Sequence, residues 1–123
     1  MYTLDTNAIV YYIKGDANVS IIIEKAISCG MPLYVSVVTE LELLSFSLST
    51  PKEISLIEQM LSTVSIISLD SRLARLAATL RRKYHLKTPD SIIAATVLFT
   101  GTKLLTRNTS DFRKVEEISV QLI

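Results

Sequence analysis

Three carboxylates in this chain stand at positions where acids can do chemistry. Asp5 closes the apolar opening run and is followed by a hydroxyl and an amide, in Leu4-Asp5-Thr6-Asn7. Asp90 stands in Thr88-Pro89-Asp90, ahead of the apolar, Ala-rich stretch Ser91 to Phe99. Asp111 lies in Thr106-Arg107-Asn108-Thr109-Ser110-Asp111-Phe112. One Asp at a helix start is ordinarily a cap or a partner of the helix dipole. Several acids sharing one edge repel each other, so a cluster needs a counter-ion or raised pKa values. A hard divalent cation such as Mg²⁺, held by one or two carboxylates plus waters, answers that need. The chain has one cysteine, Cys29, and one histidine, so a zinc site of the usual ligand types is excluded and oxygen must supply any metal site.

The elements that would position these acids alternate along the chain. Tyr2–Leu4, Leu33–Val35, Val64–Leu69, Lys103–Leu105 and Ile118–Leu122 read as strands. Ala8–Ile13 and Val19–Ser28 read as helices, the second closed by Gly30 and Pro32. Ser36 is placed to cap a helix running to about Ser47, and Thr50-Pro51 to start another. Asp70 or Ser71 caps a helix through Lys83 with Leu73, Leu76, Ala77 and Leu80 inward; the last helix opens at Thr88 and ends at Gly101. Such alternation predicts an α/β three-layer sandwich around a mainly parallel sheet. In such sheets the working edge lies beyond the carboxyl ends of the strands, where Asp5 and Asp111 fall.

At 123 residues a single domain over 1–123 is expected, large enough to bury a core without disulfides. Apolar residues make up 49% of the chain, which suits a sheet covered on both faces with some apolar surface left for a partner. No apolar run reaches the ~20 residues of a membrane span, and Asp5 and Lys14 interrupt any secretory signal. A lone cysteine excludes an internal disulfide framework and fits a reducing cytoplasm. The net charge of +1 says little about partners, but its distribution says more. Arg72, Arg75, Arg81, Arg82, Lys83, His85 and Lys87 follow one another with no acid among them. They form either a solvated face whose last turn complements the helix dipole or a strip for phosphates.

Four motifs in order resemble the PIN domains, and among them the VapC-type toxins of prokaryotic toxin–antitoxin pairs, over essentially the whole chain. They are Leu4-Asp5-Thr6-Asn7; Ser36, Thr39, Glu42 and Leu43 in SVVTELEL; Asp90, Ala94 and Ala95 in PDSIIAAT; and Thr106, Arg107, Asn108, Asp111 and Phe112. The resemblance implies a four-acid metal site at Asp5, Glu42, Asp90 and Asp111, with Thr6, Asn7, Thr106 and Asn108 as supporting polar groups. Glu40 and Glu42 lie ~200° apart on a helix, so only one can face the site. The spacing from Ser36 seen in the family selects Glu42 and leaves Glu40 as an exposed charge. The segment after Glu42 departs from the family by lacking a glycine, which alters a helix end.

The implied activity is a Mg²⁺- or Mn²⁺-dependent endoribonuclease in which a metal-activated water attacks the phosphodiester. With this resemblance, Arg72, Arg75, Arg81, Arg82, Lys83 and Lys87 become candidates for steering RNA toward Asp90. The implied partners are a VapB-type antitoxin seated on apolar surface near Val10–Ile13 and Leu43–Leu61, a second copy in a homodimer, and operator DNA only through the antitoxin. A haloacid-dehalogenase-type phosphatase would need a second Asp where Asn7 stands. A receiver domain would need an acid pair near the first strand and a lysine better placed than Lys103. A catalytically silent PIN module that binds RNA or protein is the reading from a different class.

Overall fold

The computed structural model describes residues 1–46 and 50–123. It contains the strands β1 (Tyr2–Leu4), β2 (Leu33–Ser36), β3 (Ser65–Ile67), β4 (Lys103–Thr106) and β5 (Ser119–Leu122). The helices are α1 (Thr6–Ile13), α2 (Ala17–Ser28), α3 (Val37–Leu44), α4 (Pro51–Thr63), α5 (Ser71–Tyr84), α6 (Thr88–Thr100) and α7 (Thr109–Phe112). The strands form one sheet in the order β3-β2-β1-β4-β5, and every pairing is parallel. The expectation of a mainly parallel sheet therefore tightens to a wholly parallel one.

Each strand is short, so the period-2 alternation of side chains decides which helices it can cover. Leu105 packs with Ile9, Ile23 and Ile57, on the side of α1, α2 and α4. Its neighbour Leu104 packs with Leu73, Ile93 and Phe112, on the side of α5, α6 and α7. Ile66 and Ile67 divide in the same way. Two apolar clusters thus lie on opposite faces of the sheet, which is the three-layer arrangement. α6 runs buried from Ser91 to Val97, as a helix that is apolar almost all round must.

Side-chain caps explain where helices begin earlier than the apolar period suggests. Asp5 accepts from the Ala8 amide at 2.7 Å, so α1 starts at Thr6 rather than Ala8. Asp16 accepts from the Asn18 and Val19 amides, starting α2 at Ala17 rather than Val19. Ser36 caps α3, and Asp70 rather than Ser71 caps α5. The α3 helix ends at Leu44; the expected end at Ser47 lies outside the described residues. β3 is shorter than Val64–Leu69, and α7 is a single turn that apolar periodicity does not reveal.

Candidate active site

The parallel topology brings the carboxyl ends of β2, β1 and β4 side by side. Asp5 follows β1 directly, Glu42 belongs to α3 just beyond β2, and Asp111 belongs to α7 just beyond β4. Asp90 stands in the first turn of α6. Three of the four acids thus come from elements launched by central strands, and the fourth from a buried helix packed on that sheet.

Asp5 is the most enclosed of them, at 5% exposure. One carboxylate oxygen accepts from the Ala8 amide, and the other accepts from the Thr106 hydroxyl. Thr106 in turn accepts from the Asn108 amide at 2.9 Å. Asn108 donates from Nδ2 to Asp111 at 3.0 Å. Thr6 donates to Glu42 Oε1 at 2.6 Å, and its hydroxyl stands 3.2 Å from that of Thr39. Each of Asp5, Glu42 and Asp111 is therefore oriented by a neighbouring polar side chain, the outer-shell arrangement that fixes ligands at metal sites. Asn7 behaves differently: it is exposed, and among the described residues its side chain makes no hydrogen bond. It lines a groove instead of bracing the turn.

The acids also sense one another. Burial pushes the Asp5 carboxyl above the ordinary carboxylate value; the bonds from Thr106 and Ala8 oppose this, while the charges of Asp90 and Glu42 add to it. Burial likewise raises Asp90, helped by Asp111 and Glu42 and opposed by Lys87 and Lys114. Among the described residues no three Asp, Glu, His or Cys side chains meet closely enough to form a ready metal shell. An all-oxygen donor set in a partly desolvated, mutually repelling cluster still suits a hard divalent cation, which would lower the cost that burial and repulsion impose.

Glu40 is half-buried, which corrects the expectation that it is an exposed charge. Glu42, not Glu40, is bonded to Thr6 and is felt at Asp5 and Asp90. The basic strip is less uniform than its sequence suggests. Arg72, Arg75 and Arg82 share one exposed flank of α5, with Arg81 about 100° further round. Lys83 pairs with Glu117 at 3.6 Å and lies over the Tyr84 ring. Lys87, just ahead of α6, is the strip residue whose charge reaches Asp90. Lys114 reaches it too although it lies outside the strip; its place three residues after Asp111 is the signal for it in the sequence.

A groove of about 760 Å³ opens beside the acids rather than over them, running from Asn7 past Val10, Ile13 and Phe46 to Leu56. A second, of about 520 Å³, shares Ile13 and Leu56 and continues along α2. No helix among the described residues is long and apolar enough to cross a membrane.

The family model described as the PIN domain matches residues 2–118. The fold is similar to that of VapBC2 from Rickettsia felis bound to a DNA fragment from its promoter, with a TM-score of 0.86 at 21% identity over 99% of this chain and 98% of that one. It is similar to a toxin–antitoxin complex from Klebsiella pneumoniae at 28% identity and a TM-score of 0.75, covering 96% of this chain and 95% of that one. DNA-bound VapBC from Salmonella typhimurium gives a TM-score of 0.83 at 21% identity, covering 98% and 96%. No curated protein sequence matches the chain.

Proposed function

The chain belongs to the PIN domain family, and from that premise we propose that residues 1–123 form one domain acting as a metal-dependent endoribonuclease, the toxin of a VapBC-type pair. The observation that carries the proposal is the gathering of Asp5, Glu42, Asp90 and Asp111 at one sheet edge, with Asp5, Glu42 and Asp111 each held by a neighbouring polar side chain. These four would hold Mg²⁺ or Mn²⁺. When bound, such an ion lowers the pKa of a water and stabilises charge building on the phosphate.

The chain's own residues prepare that chemistry. Thr106 and the Ala8 amide fix both oxygens of Asp5, Thr6 fixes Glu42, and Asn108 fixes Asp111. Lys87 and Lys114 offset part of the negative field at Asp90, and would meet the phosphates of an approaching RNA. Arg72, Arg75, Arg81 and Arg82 would extend that contact along α5, whereas Lys83 is engaged by Glu117. His85 follows the end of α5, and no step calls on it.

The relatives in complexes support a VapB-type antitoxin as partner. Its occupied surface would be the groove at Val10, Ile13, Phe46 and Leu56, within reach of the acids through Asn7. We further propose a homodimer, a cytoplasmic location, and contact with operator DNA only through the antitoxin. The silent binding module is the second reading.

Both readings meet one experiment. Purified chain is incubated with total RNA and Mg²⁺ or Mn²⁺, with and without EDTA, beside Asp5→Asn. Discrete cleavage that both EDTA and the substitution abolish is expected. Equal cleavage by the variant, or none by either protein, removes the nuclease reading.

A further inference from the structure

Arg107 lies between two residues that hold site acids, yet its own side chain turns away from the acids. Thr106 bonds Asp5 and Asn108 bonds Asp111. Arg107 Nη2 donates to Asp16 at 2.5 Å, and Nε donates to the main-chain oxygen of Ile123 at 2.9 Å. Its guanidinium carbon stands 4.1 Å from the centre of the Tyr11 ring. Asp16 is itself fixed, because its other oxygen accepts from the Asn18 and Val19 amides at the start of α2. Tyr11 and Asp16 are joined through the main chain at 3.0 Å. One planar group thus ties the end of β4 to α1, to the α1–α2 turn and to the segment after β5.

The sheet does not do this work. The β1–β4 ladder ends at the Leu4–Leu105 pair, so β1 stops supporting the chain just before Thr106. The last β4–β5 pair is Thr106 with Leu122. One more main-chain bond, from the Ile123 amide to the Thr106 oxygen at 3.4 Å, closes the sheet; beyond it residues 107 and 108 are held by the Asn108–Thr106 and Asn108–Asp111 bonds and by the anchoring of Arg107. α1 carries Asp5 at its N-terminal end and Tyr11 toward its other end. Fixing Tyr11 against Arg107 therefore sets how α1 lies relative to the end of β4.

We propose that Arg107 is a positioning residue: its clamp on Asp16, Tyr11 and Ile123 holds Thr106 and Asn108 where they orient Asp5 and Asp111 together. The proposal rests on the nuclease reading for its catalytic consequence, but not for its effect on metal affinity. Its three contacts use the guanidinium's planar fork and its face at once, which a lysine ammonium cannot reproduce. These contacts engage two of the guanidinium's five N–H donors and one of its faces, so RNA contact is the rival role, which the KM measurement separates.

The test uses the full chain with Arg107→Met, Arg107→Lys and Asp16→Asn. Mn²⁺ affinity is measured by calorimetry, RNA cleavage by kcat and KM, and folding by thermal unfolding. For Arg107→Met, Mn²⁺ affinity and kcat are expected to fall ~10–100-fold, the range for losing an outer support of a metal ligand. KM should stay within about twofold, as when an interaction made in the ground state is untouched. Arg107→Lys should recover little, and Asp16→Asn should shift in the same direction by less. If Arg107→Met fails to fold, Asp16→Asn decides between clamp and staple. Lower thermal stability with unchanged Mn²⁺ affinity and kcat would reduce the clamp to a fold staple and overturn the proposal. A raised KM at unchanged Mn²⁺ affinity would overturn it in favour of RNA contact. Wild-type chain that binds Mn²⁺ but cuts no RNA sinks the nuclease reading alone, and the clamp is then judged on affinity. Wild-type chain that binds no Mn²⁺ overturns both.

Discussion

At the scale of single residues, the acids cost the fold something. Asp5 is buried with two hydrogen bonds, yet desolvation and the charges of Asp90 and Glu42 outweigh them and keep its pKa above the ordinary 3.8. An acid whose pKa rises on folding holds its proton to higher pH in the folded state than in the unfolded chain. Stability then falls as pH climbs from 3.8 through the raised value, and below 3.8 the group contributes nothing. Asp90 acts with the same sign. In EDTA, Asp5→Asn should therefore be more stable than wild type near pH 7 by roughly 0.5–2 kcal/mol, the gain commonly found when an unfavourable functional group is relieved. That difference should shrink as pH is lowered toward 3.8, which urea unfolding at a series of pH values would read. A variant less stable than wild type at every pH would mean that the two hydrogen bonds outweigh burial.

At the scale of elements, helix ends are set by local backbone chemistry as much as by packing. α6 stops at Gly101, whose φ of 64° is left-handed. A Cβ built there meets nothing within 4 Å, so Gly101→Ala should cost only the conformational term, about 1 kcal/mol. α5 stops at His85, with φ of 56° and no glycine to relieve it. His85→Gly should consequently stabilise the chain by a similar amount, about 1 kcal/mol. Chemical denaturation of the two variants gives opposite signs if backbone conformation is the cause. The same sign for both would show that side-chain contacts at these ends dominate.

At the scale of the whole molecule, the groove along α1 and α4 leaves apolar surface that neither core cluster covers. Phe46, which lines it, is 45% exposed. Leu56 lines both grooves and so lies at the centre of the surface proposed for the antitoxin. Leu56→Glu places a charge where an apolar partner must desolvate it. Affinity for the cognate antitoxin should fall at least about tenfold by calorimetry. Unchanged affinity would put the partner elsewhere on the molecule.

Much of this protein was legible in its residues because the relevant physics is local. Alternating apolar runs, caps such as Ser36 and Asp70, and the stop at Gly101 act within a few residues, so the strands and helices followed from order along the chain. The placing of Asp5, Asp90 and Asp111 near element ends was legible for the same reason. Glu42 over Glu40 was not a matter of periodicity, since apolar residues flank both. The spacing from Ser36 in the resembled family selected Glu42, and the tertiary structure adds a bond to it from Thr6, 36 residues away in sequence. The clamp at Arg107 was equally hidden, because Asp16 lies 91 residues from it and only the parallel crossovers bring them together. The basic strip shows the converse: its spacing was plain, but the ion pair between Lys83 and Glu117, 34 residues on, was not. Sequence alone determined which groups were present and which short elements would carry them. Only the packed sheet decided which groups met, because contacts between distant residues depend on strand order and helix orientation, neither of which a local pattern encodes.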